Sequence, residues 1–156
     1  MESMSHPHWE TLTPATLQAF RQMARLPFIP NFYLAGGTGL SLHLGHRFSV
    51  DLDFFSPDEA AVGPDQRDAL RILLNDPSLA ITYDKEGTFV ANWQGVGISL
   101  FRLPLYPLVQ QPVFLESVPL ATVPEIGAMK LAAIIDRGTR MDMVDLYYLL
   151  QVVSLE

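Results

Sequence analysis

Residues 34–55, LAGGTGLSLHLGHRFSVDLDFF, contain the pattern from which the fold can be predicted. A buried strand is predicted to end in a turn at Gly36 and Gly37, and a short helix then leads to a second strand. Apolar and acidic residues alternate along that second strand, so the side chains of Asp51 and Asp53 should share one of its faces. The unit is therefore predicted to present two carboxylates beside a glycine turn.

This arrangement has a chemical meaning. Glycines allow a close approach of backbone to phosphate, and the N–H groups that open a helix favour an anion. Two carboxylates about 4 Å apart repel by roughly 4 kcal/mol at an effective dielectric near 20, and Mg²⁺ prefers one or two carboxylates completed by substrate phosphates. The pattern predicts a site for Mg²⁺ and a nucleoside triphosphate, with Asp51 and Asp53 as metal ligands. The alternative is that both acids only make an edge strand soluble.

The rest of the chain alternates helical and β patterns. Three β-rich runs separated by glycines indicate an antiparallel meander. Thr122 and Glu125 resemble a capping box that opens a late helix, and Asp142 is predicted to cap the final one. The other predicted elements are helices from Pro14 and over 64–75, strands over 79–84, 88–93 and 96–103, and final helices ending near 137 and 150. These elements indicate an α/β fold with a mixed α+β sheet and flanking helices, in a single domain over residues 1–156.

Composition narrows the class of protein. The 156 residues are 49% hydrophobic and 17% charged, without cysteine, which suits one folded domain without disulfides or thiolate metal sites. A signal peptide and an apolar run of the roughly 20 residues that cross a bilayer are both absent from the sequence, which predicts a cytoplasmic protein without membrane contact. The net charge of −7 disfavours non-specific nucleic-acid binding and suits a basic partner.

The quoted segment matches the nucleotidyltransferase signature, in which an apolar residue and two small residues precede an Asp–apolar–acid–apolar strand. More narrowly, GGTGLSLHLGHRFSVDLDFF resembles the AbiEii/AbiGii toxin family. The later segment KLAAIIDRGTRMDMVDLYYLL, residues 130–150, is similar to further motifs of that family. The resemblance extends over most of the chain and implies a nucleotidyltransferase-like fold.

The resemblance also implies an activity: transfer of a nucleoside monophosphate from a triphosphate to an acceptor hydroxyl, with loss of pyrophosphate. Asp51 and Asp53 would hold the catalytic Mg²⁺, while Gly36, Gly37 and Thr38 would form the nucleotide-binding turn. Related toxins act with an antitoxin encoded beside them, and some modify transfer RNA. An RNA or protein acceptor and an antitoxin partner are therefore expectations from the family.

Lys130 and Asp145 are further candidates for catalytic residues. Lys130 follows an apolar helical face and could reach triphosphate oxygens, or it could be a surface lysine that only snorkels. The family pattern makes Asp145 a base for the acceptor or a support for Lys130, whereas its position also suits a simple helix cap. Asp142 is a weaker candidate, with Arg137 as an ion-pair partner for either acid.

Arg47 and Ser49 match the family's HR-x-S pattern and are predicted to belong to the nucleotide-binding set. Arg47 could contact phosphate or clamp Asp51 or Asp53. The four histidines show no pairing typical of a zinc site.

One departure from the superfamily concerns the third carboxylate that many nucleotidyltransferases carry on a later strand. The corresponding strand here is predicted to place Ser99 at that position. This leaves a second hypothesis, a non-catalytic nucleotide-binding or partner-binding domain with the same fold. A phosphohydrolase is a third, but it would need more His or Asp ligands than the sequence offers convincingly.

Overall fold

The computed structural model describes residues 2–154, in which a seven-stranded mixed sheet is flanked by helices on both faces. The strands are β1 (Tyr33–Ala35), β2 (Leu52–Ser56), β3 (Ala80–Lys85), β4 (Thr88–Trp93), β5 (Val96–Arg102), β6 (Val113–Leu115) and β7 (Val118–Leu120). Their order across the sheet is β3-β4-β5-β2-β1-β7-β6. The predicted α/β fold with a mixed sheet is confirmed.

Parallel and antiparallel pairs meet at the centre of the sheet. β2 pairs antiparallel with β1 and parallel with β5, so Asp53 lies opposite Ala35 on one side and Ser99 on the other. The predicted meander of β3, β4 and β5 is confirmed as two antiparallel pairs. The β6–β7 hairpin was not predicted, because its strands are only three residues long and Pro119 lies within one of them.

In the described part of the chain, five α-helices pack on this sheet: α1 (Pro14–Met23), α2 (Gly36–Leu44), α3 (Pro64–Leu73), α4 (Val123–Asp136) and α5 (Arg140–Leu149). One hydrophobic cluster joins α1 and α3 to a sheet face through residues such as Phe20, Leu70 and Phe54. A second cluster joins the opposite face to α2, α4 and α5, with Tyr33 and Ile126 among its members. The alternation of side chains along β2 thus leaves Asp53 on the face that α2, α4 and α5 cover.

The prediction that Thr122 and Glu125 form a capping box is wrong. The Thr122 hydroxyl donates to Gln110 instead, and the Glu125 carboxylate accepts from the backbone N–H groups of Val109 and Gln110. A capping box is present at α5, where Thr139 is the N-cap and Asp142 is its acidic third residue. The prediction that Asp142 caps the final helix is therefore confirmed only in part: its carboxylate accepts from the backbone N–H of Thr139, but the N-cap residue is Thr139. No helix within residues 2–154 is long and apolar enough to cross a membrane.

Candidate active site

Gly36 and Asp53 are in close contact at the start of α2. Gly36 has φ +65°, in the left-handed region that side chains disfavour. A Cβ atom at this position would lie 2.6 Å from Oδ2 of Asp53. The contact follows from the strand register, because Ala35 pairs with Asp53 across β1 and β2. Only glycine provides both the backbone conformation and the space beside the carboxylate.

The Asp53 carboxyl lies in an environment that disfavours its charge. Burial and, to a lesser extent, the neighbouring charge of Asp51 raise its pKa to about 6, although the charges of Arg137 and Lys130 oppose this change. At neutral pH the group is mostly ionised despite this cost, and a cation beside it would relieve the cost.

Asp51 immediately precedes β2 and is exposed. Its Oδ1 accepts a hydrogen bond of 3.1 Å from the backbone N–H of Gly97 on β5. Asp53 thus supplies hard carboxylate oxygens of the kind that Mg²⁺ prefers next to the space that Gly36 leaves, and Asp51 lies close enough for its charge to affect the pKa of Asp53. The residues present fit the ion, and the assignment of Asp51 and Asp53 as its ligands stays a prediction.

The third position beside these acids belongs to Ser99, which pairs with Asp53 in the β2–β5 register. Across residues 2–154, no group of three or more His, Asp or Glu side chains is placed to hold a metal ion. Within the part of the chain that the structure describes, a metal at this site would therefore need oxygens from substrate or water to complete its coordination.

A cavity of about 820 Å³ opens beside Asp53. Phe55 and Phe101, on neighbouring strands, line it from the sheet, and Met129 and Ala133 of α4 line it from the helix layer. Sequence reasoning missed these apolar residues as parts of the site. The alternation along β2 could have identified Phe55, because it lies two residues after Asp53 and shares its face.

Asp145 is the centre of a buried ion-pair cluster. Arg47 donates to both of its oxygens, from Nε to Oδ1 at 2.6 Å and from Nη2 to Oδ2 at 2.9 Å. The His46 Nε2 lies 2.7 Å from Oδ1, and the Lys130 Nζ lies 2.9 Å from Oδ2. The Asp145 side chain is fully buried. We call Asp145, Arg47, His46, Lys130 and Asp142 the Asp145 cluster.

The geometry selects among the alternatives for Asp145. It is not a helix cap, since Thr139 and Asp142 cap α5. Burial alone would raise its pKa, but hydrogen bonds from Arg47, His46 and Lys130 outweigh burial and hold the pKa well below its usual range. A carboxylate with so low a pKa is a poor general base for an acceptor hydroxyl. The contacts therefore favour the other alternative, in which Asp145 holds the Lys130 side chain in place.

Lys130 is not a snorkelling surface residue, because its side chain is only 6% exposed. Its ammonium pairs with Asp142 Oδ1 and Asp145 Oδ2, each at 2.9 Å. Lys130 also lines the cavity that contains Gly36 and Asp53. An ammonium has three donors, so two ion pairs leave one for a ligand in the cavity.

Arg47 does not clamp Asp51 or Asp53, because its guanidinium is bound to Asp145. This position also explains Gly37, where a Cβ atom would collide with Nη2 of Arg47. The second glycine of the turn therefore makes room for an arginine, which the sequence did not indicate. A role for Gly37 toward phosphate would rest on its backbone alone.

Thr38 and Ser49 use their side chains within the protein. Their hydroxyl oxygens lie 2.7 Å apart, and Thr38 also donates to the backbone oxygen of Asp51. Both side chains are buried. The structure thus gives them the task of fixing the segment before β2 against α2, and their predicted contact with nucleotide gains no support from these bonds.

The opposed pKa shifts predict a maximum in the pH dependence of stability. Burial would raise the pKa of Asp142, but hydrogen bonds from Lys130 and Thr139 outweigh burial and hold this pKa at about 2. The ionised Asp142 therefore stabilises the folded state above a pH of about 4, and this contribution is lost as the pH falls. Asp145 acts in the same direction. Asp53 has the opposite sign, because its raised pKa makes the folded state bind the proton first, so stability rises as the pH falls from about 6 to about 4.

In urea titrations at constant ionic strength, the summed contribution of these three acids to stability should therefore be greatest near a pH of about 4 to 5. Asp142→Asn should flatten the acid side of the profile, whereas Asp65→Asn, at an exposed position of α3, should not. An acid side that keeps its slope in Asp142→Asn would contradict the assignment.

The fold and the site together define a class of protein. A glycine-opened helix between two central strands, with an acidic residue of the second strand facing that glycine, is the arrangement of a nucleotidyltransferase fold. The chain belongs to the AbiEii nucleotidyl transferase toxin family of type IV toxin–antitoxin systems, whose model matches residues 18–156. The resemblance predicted from the sequence is confirmed.

Individual relatives agree with this membership. The uncharacterized protein aq_aa25 of Aquifex aeolicus (strain VF5) is 32% identical over 136 residues, which are 86% of this chain and 65% of the relative. This chain therefore spans less than the full length of the curated relative that it matches.

Two solved structures show the same fold. The antibiotic-resistance factor ANT(2'')-Ia matches this chain with a TM-score of 0.60 at 12% identity. The match covers 88% of this chain and 84% of the ANT(2'')-Ia chain. The Megavirus polyadenylate synthase matches with a TM-score of 0.57 at 15% identity, and the match covers 88% of this chain and 32% of the synthase chain. At these identities the likeness establishes the fold alone.

Proposed function

We propose that this chain is a single nucleotidyltransferase domain that transfers a nucleoside monophosphate from a triphosphate to an acceptor hydroxyl. The observation that carries the proposal is the contact between Gly36 and Asp53, which leaves space beside a carboxylate at the opening of a helix. The helix start offers N–H groups to phosphate, and the carboxylate offers oxygens to a cation. Family membership supports the same chemistry.

Asp51 and Asp53 would hold Mg²⁺, which when bound stabilises charge on the transferring phosphoryl group. In the reaction, the acceptor oxygen forms a bond to the α-phosphorus, the bond from that phosphorus to the pyrophosphate oxygen breaks, and the acceptor hydroxyl releases its proton to solvent. Lys130 would place its remaining donor on the triphosphate oxygens. Asp145 would act as a positioning residue, because it fixes Lys130 and Arg47.

The biological setting is also a proposal. Family membership supports a toxin that works with an antitoxin partner. A cytoplasmic location and an RNA or protein acceptor complete the proposal. The net charge of −7 favours a partner that is basic at its contact surface. The polyadenylate synthase in the same fold class supports an RNA acceptor by analogy.

One observation favours a second candidate function. Ser99 stands beside Asp53 where many superfamily members have a third acid, which suits a domain that binds nucleotides without transferring them. The described residues offer no cluster of three metal ligands, so a phosphohydrolase with two metals gains no support.

Incubation with Mg²⁺, total RNA and each triphosphate labelled at the α-phosphate tests the proposal. We expect label to enter a macromolecule in amounts equal to the pyrophosphate released, because one accompanies the other. Chelation of the metal with EDTA should abolish both signals, since Asp51 and Asp53 alone leave the phosphoryl charge unopposed. Binding of triphosphate without transfer to RNA or protein would favour the second candidate.

A further inference from the structure

Three aromatic rings form a row across the central strands on the face that contains Asp53. Tyr33 of β1 stacks on Phe55 of β2 with ring centres 5.8 Å apart, and Phe55 stacks on Phe101 of β5 with ring centres 5.5 Å apart. The register explains the row, because Phe55 pairs with Tyr33 on one side and with Phe101 on the other. Phe55 and Phe101 both line the 820 Å³ cavity.

The row begins next to the proposed phosphate site. Phe55 follows Asp53 by two residues and Phe101 follows Ser99 by two, which is an advance of about 7 Å along each strand. In a nucleotide whose phosphates lie at Gly36 and Asp53, the sugar separates the base from the phosphates. Its base would therefore reach the level of the aromatic row.

The opposite wall of the cavity completes an apolar slot. Met129 and Ala133 of α4 face the cavity together with the two phenylalanines. Arg102 also lines the cavity and is already engaged, since its Nε donates to the backbone oxygen of Ala61 at 2.8 Å and its Nη2 pairs with Glu86. Arg137, a further lining residue, pairs with Asp142 at 3.5 Å. A flat, weakly polar ring fits these walls better than a charged group does.

We propose that the nucleobase of the bound triphosphate packs between the Phe55–Phe101 pair and α4, and that these contacts recognise the base by its ring surface. The inference rests on the proposed function, since it assumes that triphosphate oxygens bind near Asp53. Every nucleobase has an apolar ring face, so an aromatic wall binds all four bases. The slot therefore supplies affinity for a nucleotide over a phosphate chain alone, with little preference among bases.

Binding measurements on Phe101→Ala test this inference with Mg²⁺ and two kinds of probe, the four nucleoside triphosphates and inorganic tripolyphosphate. Loss of the ring should weaken all four nucleotides by about tenfold. Tripolyphosphate has no base and should bind as it does to the wild-type protein. Phe48→Ala is a matched control, because Phe48 is exposed and lies outside the cavity.

Phe101→Leu provides a second variant that keeps apolar volume, so that the test does not depend on the fold of the alanine variant. It should lose nucleotide affinity in the same direction while its melting temperature stays close to that of the wild type. Equal weakening of tripolyphosphate and nucleotides would overturn the inference in favour of a structural role. Loss of affinity for one base only would also overturn it, because that result requires hydrogen bonds to a base edge.

Two further results would distinguish a failure of this inference from a failure of the proposed function. Unchanged nucleotide binding with impaired transfer would place the acceptor in the slot and overturn the inference alone. If tripolyphosphate fails to bind the wild-type protein in an Asp53-dependent manner, the phosphate site itself is wrong. The proposed function then fails, whatever Phe101→Ala shows.

Discussion

Replacement of Asp145 by asparagine is expected to lower the free energy of unfolding by about 3–5 kcal/mol. The variant leaves Arg47 and Lys130 in a buried cluster without the carboxylate that both of them contact. Removal of one partner from a buried ion pair exposes the full desolvation cost of the charges that remain. Urea denaturation at neutral pH measures the change directly.

Asp136→Asn is the matched control, because Asp136 is an exposed acid at the end of α4. Its effect should lie within about 0.5 kcal/mol of zero, as for most surface substitutions. If Asp145→Asn lowers the free energy of unfolding by less than about 1 kcal/mol, the ion pairs of the Asp145 cluster contribute little to the stability of the fold.

The second large effect is expected for Asp53→Asn, which should reduce transfer activity by at least about a thousandfold. A metal that opposes phosphoryl charge contributes several kcal/mol to the barrier, and the variant removes a carboxylate proposed to hold it. The same variant should gain about 1–2 kcal/mol of stability in metal-free buffer at neutral pH. The gain follows because burial and Asp51 raise the pKa of Asp53 to about 6, so its charge costs free energy in the folded state.

The two measurements together distinguish a site residue from a structural one. Asp51→Asn should lose activity as well, but with a smaller gain in stability because Asp51 is exposed. Activity near the wild-type level in Asp53→Asn would overturn the assignment of the metal site. Lost activity together with lost stability would indicate that Asp53 supports the fold and does not act in the reaction.

The parts of the site that are close in sequence were predictable. The strand–helix–strand unit follows from local patterns, and the register then brings Gly36 to Asp53 because β1 and β2 pair directly. The position of Ser99 beside Asp53 was also predictable, since the β5 run alternates in the same way.

The contacts of the Asp145 cluster could not be predicted, because they join distant parts of the chain. Arg47 and Asp145 are 98 positions apart, and local pattern does not show which acid an arginine will meet. The same long-range contact gives Gly37 its role, since only the folded position of the Arg47 guanidinium reveals that a side chain there has no room. The sequence made Arg47, Lys130 and Asp145 candidates for the site, but it did not show that the first two contact the third.

The separation of Arg47 from Asp145 also has a consequence for synthesis of the protein. At a translation rate of about 5–20 residues per second, the ribosome adds Asp145 about 5–20 seconds after Arg47. During that interval Arg47 lacks its carboxylate partner, and Lys130, which is added late in the same interval, lacks both of its acids until Asp142 and Asp145 follow. The nascent chain can form β1, α2 and β2 early. The Asp145 cluster, in contrast, can form only after α5 has been synthesised, because Asp142 and Asp145 belong to that helix.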